Sequence, residues 1–323
     1  EAHLNNAEFL LKKESYQIKR DKVYTVARIE CDKAIKIDNK DFSTFLVKGT
    51  TYYSSRQYAK AIPEYEKSVE LNFSQKATHY NIGLCFYYMG EYEKASKAFQ
   101  TVLKLDPKYT SPDDMNSPDA YQILAMSLEK LGDMNGEVKI LRDAVNVHPD
   151  KVKYHILLGK SLKRKNDLDE AAEEFRTALN LDKINFQKMR HIALTELADI
   201  YADNGADINS AEIYISEAKD IIEQLDPEEK EKIISQMENT AGWIYFNLNR
   251  YELAIKLLEK TLSKFLNEPK FHSRLAVAYE NYANSFSDLK LKKEYINKSE
   301  TQWEIISNLK GNDRYKKMAD EHL

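Results

Sequence analysis

Apolar and polar residues along this chain alternate with the period of an α-helix rather than that of a β-strand. In segments such as residues 81–107, apolar side chains recur three, four and seven positions apart, which places them on one face of a helix. Gly and Pro, the usual breakers of helices, number only 9 and 7 in 323 residues. The pattern therefore predicts a series of amphipathic helices and an all-α fold.

The helical pattern itself repeats at an interval close to the 34 residues that separate Gly49 from Gly83. Each copy has a small residue in its first helix and a larger residue 16 positions later, or 17 in one copy, in its second helix. The small residues are Gly49, Gly83, Ala125, Gly159, Ala198, Gly242 and Ala276, with Ser15 as a degenerate first member. The second-helix residues are Cys31, Tyr65, Phe99, Leu141, Phe175, Ile215 and Leu258. A small side chain lets a neighbouring helix approach closely, and a large one fills the groove beside it.

Turn-forming residues separate the two helices of each copy. The positions at which the chain leaves the first helix are Gly90, Gly132, Asn166, Gly205 and Asn249. We expect a positive φ there, because Gly and Asn are the residues that end helices in the left-handed conformation. Asp133 and Asp167 come next and are suited to cap the second helix. Each copy is thus predicted to be a helix pair that must stack on its neighbours to bury its apolar face.

The pattern resembles the tetratricopeptide repeat, in which W-x2-L-G-x2-Y…A-x3-F…P recurs every 34 residues. The resemblance covers essentially all of residues 1–323 as a single array. About eight repeats would start near residues 8, 42, 76, 118, 152, 191, 235 and 269. It implies a right-handed α-α superhelix, or solenoid, of antiparallel helix pairs. The composition, rich in Asn, Lys, Ile and Tyr, is similar in style to bacterial members of the family, some cytoplasmic and many exported.

Several segments depart from the repeat spacing. Residues 110–117 form an insertion rich in turn formers between the third and fourth repeats. Residues 269–323 are predicted to form atypical C-terminal capping helices, since terminal repeats usually cap such an array. Trp303, in a helix for which no successor is predicted, would then cover the exposed end.

The composition of the chain limits the kinds of partner that it is expected to bind. The 52 acidic and 48 basic residues give a net charge of −4, whereas nucleic-acid binders normally carry a basic surplus. No run of apolar residues approaches the roughly 18 that span a bilayer. Cys31 and Cys85, the two cysteines, fall within apolar helical patterns and are expected to be buried hydrophobic side chains. We therefore expect a protein or peptide partner, no nucleic acid and no direct membrane insertion.

The sequence contains no motif for catalysis, metal or cofactor binding. HExxH, G-x-S-x-G and G-x-G-x-x-G are absent. The tripeptide GKS at Gly159–Ser161 lacks the earlier Gly of a phosphate loop, because Tyr154 stands in its place. The acidic residues Asp113, Asp114 and Asp119 lack the spacing of a calcium loop and are interpreted as a solvated loop. A non-enzymatic protein is therefore expected.

The resemblance implies a concave groove, lined by the first helix of each repeat, that receives an extended peptide or a helix. Its side chains would come from the second, fifth, sixth, ninth, twelfth and thirteenth positions of the repeats. The candidate partner-binding residues at these positions are Tyr53, Tyr80, Asn81, Leu84, Tyr87, Tyr88, Lys153, Lys160, Lys163, Arg164, Trp243 and Phe246. Tyr and Trp are the usual interface anchors. The alternative is that several of them pack against neighbouring helices.

Charged groove positions fall into separate blocks along the sequence. A basic sector over 153–164 precedes an acidic sector made of Glu196, Asp199 and Asp203, and aromatic residues flank both sectors. The basic sector is interpreted either as a partner site or as a solvated charged face.

Some members of the family bind the C-terminal carboxylate of chaperones through a clamp of two Lys, two Asn and an Arg. Lys270 and Arg274 stand at two of these positions, but Asp199, Thr240 and Thr195 replace other members. A chaperone clamp is therefore not expected. The first hypothesis is a non-catalytic scaffold or adaptor that binds a partner segment in the groove. The alternative is a structural subunit of a larger assembly, including one at the cell envelope, that uses convex faces and array ends.

Overall fold

The computed structural model describes residues 21–109, 118–181, 187–205, 207–309 and 313–323. All regular secondary structure within these ranges is helical, which confirms the all-α prediction. The insertion at 110–117 and the first helix of the first predicted repeat lie outside the described residues. By its internal contacts, the chain divides after Pro149 into two compact units.

The first unit contains seven described helices, and consecutive helices from α2 onward pack on one another. They are α1 (21–37), α2 (Phe42–Ser54), α3 (Tyr58–Leu71), α4 (Lys76–Tyr88), α5 (Tyr92–Leu105), α6 (Ala120–Lys130) and α7 (Met134–Val147). The even-numbered helices are the first helices of the predicted repeats.

The second unit contains nine described helices, again packed consecutively. They are α8 (Val152–Arg164), α9 (Leu168–Leu181), α10 (Gln187–Asn204), α11 (Ile208–Glu223), α12 (Pro227–Asn247), α13 (Tyr251–Leu262), α14 (Pro269–Asn284), α15 (Leu289–Asn308) and α16 (Asp313–His322). The first helices also contact one another, α8 with α10, α10 with α12 and α12 with α14. Side chains from α8, α10, α12 and α14 can therefore meet on one side of this unit.

Close contact between small and bulky residues holds the helix pairs together. A Cβ atom at Gly83 would lie only 2.8 Å from the ring of Phe99, so no larger residue fits there without a shift. The equivalent distance from Gly49 to Tyr65 is 2.6 Å. The same relation joins Gly159 to Phe175 and Gly242 to Leu258. The predicted pairing of small and bulky side chains is confirmed at these four places.

The predicted helix-ending residues have the expected backbone conformation. The positive φ values are 77° at Gly90, 75° at Gly132, 70° at Asn166, 62° at Gly205 and 58° at Asn249. Asp133 caps α7, since its Oδ1 accepts a hydrogen bond of 2.9 Å from the backbone N–H of Gly136. Arg56, between α2 and α3, also has a positive φ, of 57°. The sequence did not predict it, because Arg rarely adopts this conformation.

Both cysteines lie where the apolar pattern placed them. Cys31 and Cys85 are buried, and burial raises the pKa of the Cys85 thiol to about 12. A thiol with so high a pKa is protonated at neutral pH and behaves as a small hydrophobic side chain.

The prediction for Trp303 is wrong. Trp303 lies on α15, which does have a successor, α16, and the Trp303 side chain is fully buried against residues of α14 and α16. The indole stacks on His322 with 4.5 Å between ring centres, and its Nε1 donates to Glu280 Oε1 at 2.8 Å. The short polar sequence of α16 gave little sign of this packing, because only Tyr315, Met318 and Ala319 form its apolar face.

Candidate partner-binding site

Tyrosine rings gather on the first unit in a cluster that we call the tyrosine patch: Tyr53, Tyr58, Tyr87, Tyr88 and Tyr92. Tyr58 stacks on Tyr88 with 5.3 Å between ring centres, and Tyr53 lies 5.6 Å from Tyr58. Tyr87 contacts both Tyr88 and Tyr92 at 5.9 and 5.6 Å. Tyr88 is 52% exposed although it touches three other rings of the patch. The patch therefore presents an ordered aromatic surface to the outside.

The turns between helices bring these rings together. Tyr53 is in the last turn of α2 and Tyr88 ends α4, whereas Tyr58 and Tyr92 begin the helices that follow. The left-handed residues Arg56 and Gly90 reverse the chain between them. Tyr53, Tyr87 and Tyr88 were expected from the sequence, but Tyr58 and Tyr92 were not, because they lie on second helices. The sequence signal that could have identified Tyr58 and Tyr92 was an aromatic residue directly after a turn.

Three other candidates of the first unit lie deeper. Tyr80 and Leu84 are buried on α4, and Asn81 between them is half-buried. The Tyr80 ring packs edge-on against Phe99, and its hydroxyl donates to the carbonyl of Pro118. The structure thus places Tyr80 and Leu84 among the packing residues of the unit rather than within the tyrosine patch.

The second unit brings the predicted basic and acidic residues into contact with each other. We call this group the Asp199 cluster: Lys163, Glu196, Asp199, Asp203, Lys270 and Arg274. Lys163 Nζ lies 2.5 Å from Glu196 Oε2 and 2.5 Å from Asp199 Oδ2. Lys270 Nζ lies 2.6 Å from Asp199 Oδ2 and 2.9 Å from Asp203 Oδ2. The two predicted charge sectors therefore pair internally, through residues of α8, α10 and α14.

Arg274 completes the cluster from the centre of α14. Its Nη2 donates to Asp199 Oδ1 and, at 2.7 Å, to Asp203 Oδ1. Its Nη1 donates to Asn239 Oδ1 at 2.7 Å, and its guanidinium carbon lies 5.3 Å above the ring of Trp243. An Arg so placed is fixed in both position and plane.

The electrostatics of the cluster favour its ionised state. Burial alone would raise the pKa of Asp199, but Arg274, Lys163 and Lys270 outweigh burial and hold that pKa well below its ordinary range. At Glu196, burial also acts to raise the pKa, but the positive charges of Lys163 and Lys160 outweigh it and lower that pKa. Burial, joined by the nearby charge of Arg274, lowers the pKa of Lys270. The carboxylates of Asp199 and Asp203, which both pair with Lys270, oppose that shift.

A cavity of about 390 Å³ opens beside the cluster. Its lining residues come from α8, α10, α12, the turn after α13 and α14: Lys163, Asp199, Gln236, Asn239, Thr240, Phe265, Glu268, Lys270, Phe271 and Arg274. Thr240 Oγ1 donates to Asp199 Oδ1 at 3.3 Å, and Gln236 Nε2 donates to Glu196 Oε1 at 2.9 Å. The wall thus combines fixed charges with polar side chains and two aromatic rings.

The remaining candidates lie on α8 and α12. Trp243 and Phe246 stack face to face, with 4.5 Å between centres and planes 7° apart. Lys160 Nζ lies 3.8 Å from Glu196 Oε1, and Lys153 Nζ lies over the ring of its neighbour Tyr154. Arg164, the last residue of α8, is exposed. Lys163 and Lys160 are thus placed with the Asp199 cluster, and Trp243 contacts it through Arg274.

Within the described ranges there is no group of three or more His, Cys, Asp or Glu side chains arranged to hold a metal ion. In the same described ranges, no helix has the length and apolarity needed to cross a bilayer.

Comparison of the fold defines the class of protein. Over 93% of this chain and 52% of the other, the structure is similar to a chain in the crystal structure of the APC/C hetero-tetramer Cut9–Hcn1, with a TM-score of 0.58 and 16% identity. That likeness concerns the fold alone, and it places the chain among helical repeat proteins. Models of the tetratricopeptide repeat match residues 42–75, 77–109, 152–185 and 239–263. The chain is a tetratricopeptide repeat protein, as its sequence pattern predicted.

Two curated proteins are similar to parts of the sequence. A TPR repeat-containing protein of Methanocaldococcus jannaschii is 22% identical over 166 residues, which cover 50% of this chain and 29% of that protein. The intraflagellar transport protein 88 homolog of Homo sapiens is 35% identical over 71 residues, covering 20% of this chain and 8% of that protein. The chain thus spans less than a third of the length of either relative. Tetratricopeptide proteins are protein-interaction scaffolds and are generally non-catalytic.

Proposed function

We propose that this protein is a non-catalytic adaptor that binds a segment of a partner protein, as an extended peptide or a helix, on the first-helix side of its repeats. The tyrosine patch would anchor the segment on the first unit. The cavity beside the Asp199 cluster would receive polar side chains of a segment bound to the second unit.

The observation that carries the proposal is the exposure of Tyr88 within an otherwise well-packed set of rings. Tyr combines a large apolar face with a hydroxyl and loses little side-chain entropy on binding, which suits it as an anchor. Because Tyr53 and Tyr58 already hold the Tyr88 ring, a partner would meet a surface that is ordered in advance. Preorganisation of this kind lowers the cost of association.

The experiment is affinity capture from cells of the native organism, followed by a binding measurement with the captured partner. The full chain would be compared with a Tyr87→Ala, Tyr88→Ala double variant. A control, Ile213→Ala, removes an apolar side chain that is 65% exposed on α11, a second helix of a repeat. Circular dichroism melting would establish that all three chains are equally folded.

We expect the tyrosine variant to bind the partner at least about 10-fold more weakly, since loss of an interface anchor costs about 1.4 kcal/mol or more. The Ile213 variant should bind as the unmodified chain does. Binding that survives loss of both tyrosines would contradict the proposal. If the tyrosine variant still bound the partner and the Ile213→Ala variant did not, the result would favour the alternative of an assembly subunit that uses its outer faces.

A further inference from the structure

The rings of the tyrosine patch recur with the period of the repeat. Tyr53 and Tyr87 are 34 residues apart, and so are Tyr58 and Tyr92. The first pair lies on the first helices α2 and α4, and the second pair lies on the second helices α3 and α5. Along the row Tyr58, Tyr88, Tyr87 and Tyr92, successive ring centres are 5.3, 5.9 and 5.6 Å apart. The patch is therefore a row of rings built by two successive repeats.

Three hydroxyl groups of this row have no hydrogen-bond partner. Within the described ranges, the hydroxyls of Tyr58, Tyr87 and Tyr92 make no hydrogen bond, and their rings are only partly buried. A phenol hydroxyl is a donor, and a ligand that covers it without offering an acceptor loses free energy by removing it from water. The ligand that suits this surface must therefore combine apolar contact with free acceptors.

The patch itself contains no charged side chain. The positive charge of Arg56 acts on the hydroxyl of Tyr58, and the negative charge of Glu129 acts on the hydroxyl of Tyr87. Because these two charges are opposite in sign, the surroundings of the patch favour neither an anionic nor a cationic ligand. An uncharged segment is the best match.

The backbone carbonyls of the ligand decide which conformation fits. An α-helix uses its carbonyls internally, so an apolar helix face laid on the patch would cover the three hydroxyls without giving them acceptors. A β-strand is usually recognised by pairing with the edge of a sheet, and the described ranges contain no strand. A polyproline II helix has no internal hydrogen bonds, so its carbonyls remain free to accept.

We infer that the tyrosine patch binds a proline-rich segment of the partner in the polyproline II conformation, an inference that rests on the proposed adaptor function. Proline rings would pack on the exposed ring of Tyr88 and its neighbours, and the free hydroxyls would donate to carbonyls of the segment. Polyproline II rises about 3.1 Å per residue, so two residues match one step between rings of the row. A ligand with so short a repeat suits a surface whose ring positions recur. Its conformation exists before binding, which lowers the entropy cost of association.

The test titrates the full chain by calorimetry with decaproline blocked at both ends. A blocked peptide of Gly and Ser serves as a flexible comparison without proline rings. A blocked amphipathic peptide of Leu, Glu and Lys serves as a helical comparison with an apolar face. We expect decaproline to bind with a dissociation constant on the order of 100 µM, and both comparison peptides to bind at least about 10-fold more weakly.

The decisive variant replaces Tyr58, Tyr87 and Tyr92 together by Phe. It keeps every ring, so it should melt as the unmodified chain does, but loss of the three donors should weaken decaproline binding at least about 10-fold. Tyr88→Ala removes the most exposed ring of the patch and should weaken binding by a similar factor. The matched control is Tyr214→Phe on α11, which removes the hydroxyl of a stacked ring in the second unit. It should change the affinity by less than about 2-fold.

Several results would overturn the inference. They are absence of decaproline binding, equal binding of either comparison peptide, and unchanged binding by the triple Phe variant. Because these titrations do not use the partner, they can fail while capture through the tyrosine patch succeeds. A captured partner that depends on Tyr87 and Tyr88 but contains no proline-rich segment would also overturn the inference and leave the adaptor function standing. Decaproline binding together with partner capture that survives loss of both tyrosines would contradict the adaptor function alone.

Discussion

Lys270 and Asp199 lie 71 residues apart in the sequence, yet the Lys270 ammonium is 2.6 Å from Asp199 Oδ2. The same carboxylate accepts hydrogen bonds from Lys163 on α8, Thr240 on α12 and Arg274 on α14. One buried acidic side chain on α10 therefore joins the first helices of four successive helix pairs in the second unit. Because several cations depend on it, its removal has a larger effect than the loss of a single surface ion pair.

Asp199→Asn should destabilise the second unit by about 3–5 kcal/mol at pH 7, since it leaves buried cations without their shared counter-charge. Tryptophan fluorescence during urea unfolding is the appropriate measurement, because both tryptophans, Trp243 and Trp303, lie in this unit. The matched control is Asp220→Asn, an exposed acid of α11, which should change the free energy of unfolding by less than about 0.5 kcal/mol. Equal effects of the two substitutions would show that the cluster contributes nothing special to stability.

The contribution of Asp199 should depend on pH in the acid range only. Its pKa in the folded protein lies below the value of about 3.9 of an unfolded chain. Its ionised form therefore stabilises the fold fully above about pH 4, and that contribution is lost as the pH falls through the lower, folded pKa. The difference in unfolding free energy between the unmodified chain and Asp199→Asn should be constant from pH 5 to pH 8 and decrease below about pH 4. A decrease between pH 6 and pH 8 instead would mean that another group controls the cluster.

The fold was predictable from the sequence because its determinants are local or recur at a fixed spacing. Gly83 and Phe99 lie within one helix pair, so the spacing of small and bulky residues was sufficient to match them. The positive φ values at Gly90 and Asn166 follow from the conformational preference of each residue type, so each could be predicted from that one residue. Arg56 occupies an equivalent turn without any sequence signal, since side-chain chemistry disfavours the conformation that the turn imposes there.

The candidate site was less predictable because it depends on distances between repeats. The sequence assigned Lys163 to a basic sector and Asp199 to an acidic one, and nothing in the spacing of 36 residues indicates that they touch. Contact follows from the packing of α8 on α10, which brings successive first helices side by side. Lys270 and Arg274, four residues apart on one face of α14, were noted only as an incomplete clamp.

Gly83→Val should destabilise the first unit by about 1–3 kcal/mol. A Cβ atom at Gly83 would already lie 2.8 Å from two ring atoms of Phe99, so the ring or the helix must shift to make room. Lys97→Val, on the exposed side of α5, controls for helix propensity alone and should cost less than about 0.7 kcal/mol.

Circular dichroism during thermal unfolding would measure both variants of the first unit. Adding Phe99→Leu to Gly83→Val should recover part of the loss, since the double variant removes the ring that the new side chain meets. If the effects of the two substitutions on stability simply added, the strain would not arise from contact between the new side chain at residue 83 and the ring of Phe99.

Arg56→Gly should stabilise the first unit by about 0.5–1 kcal/mol. Left-handed backbone costs a non-glycine residue about 1–2 kcal/mol, and the greater freedom of Gly in the unfolded chain offsets about half of that gain. Asn166→Gly, at an equivalent turn of the second unit with a φ of 70°, should give a smaller increase because Asn tolerates this conformation better than Arg. Thermal unfolding of both variants would rank the two gains. A loss of stability in Arg56→Gly would mean that contacts of the Arg56 side chain outweigh the backbone strain at this turn.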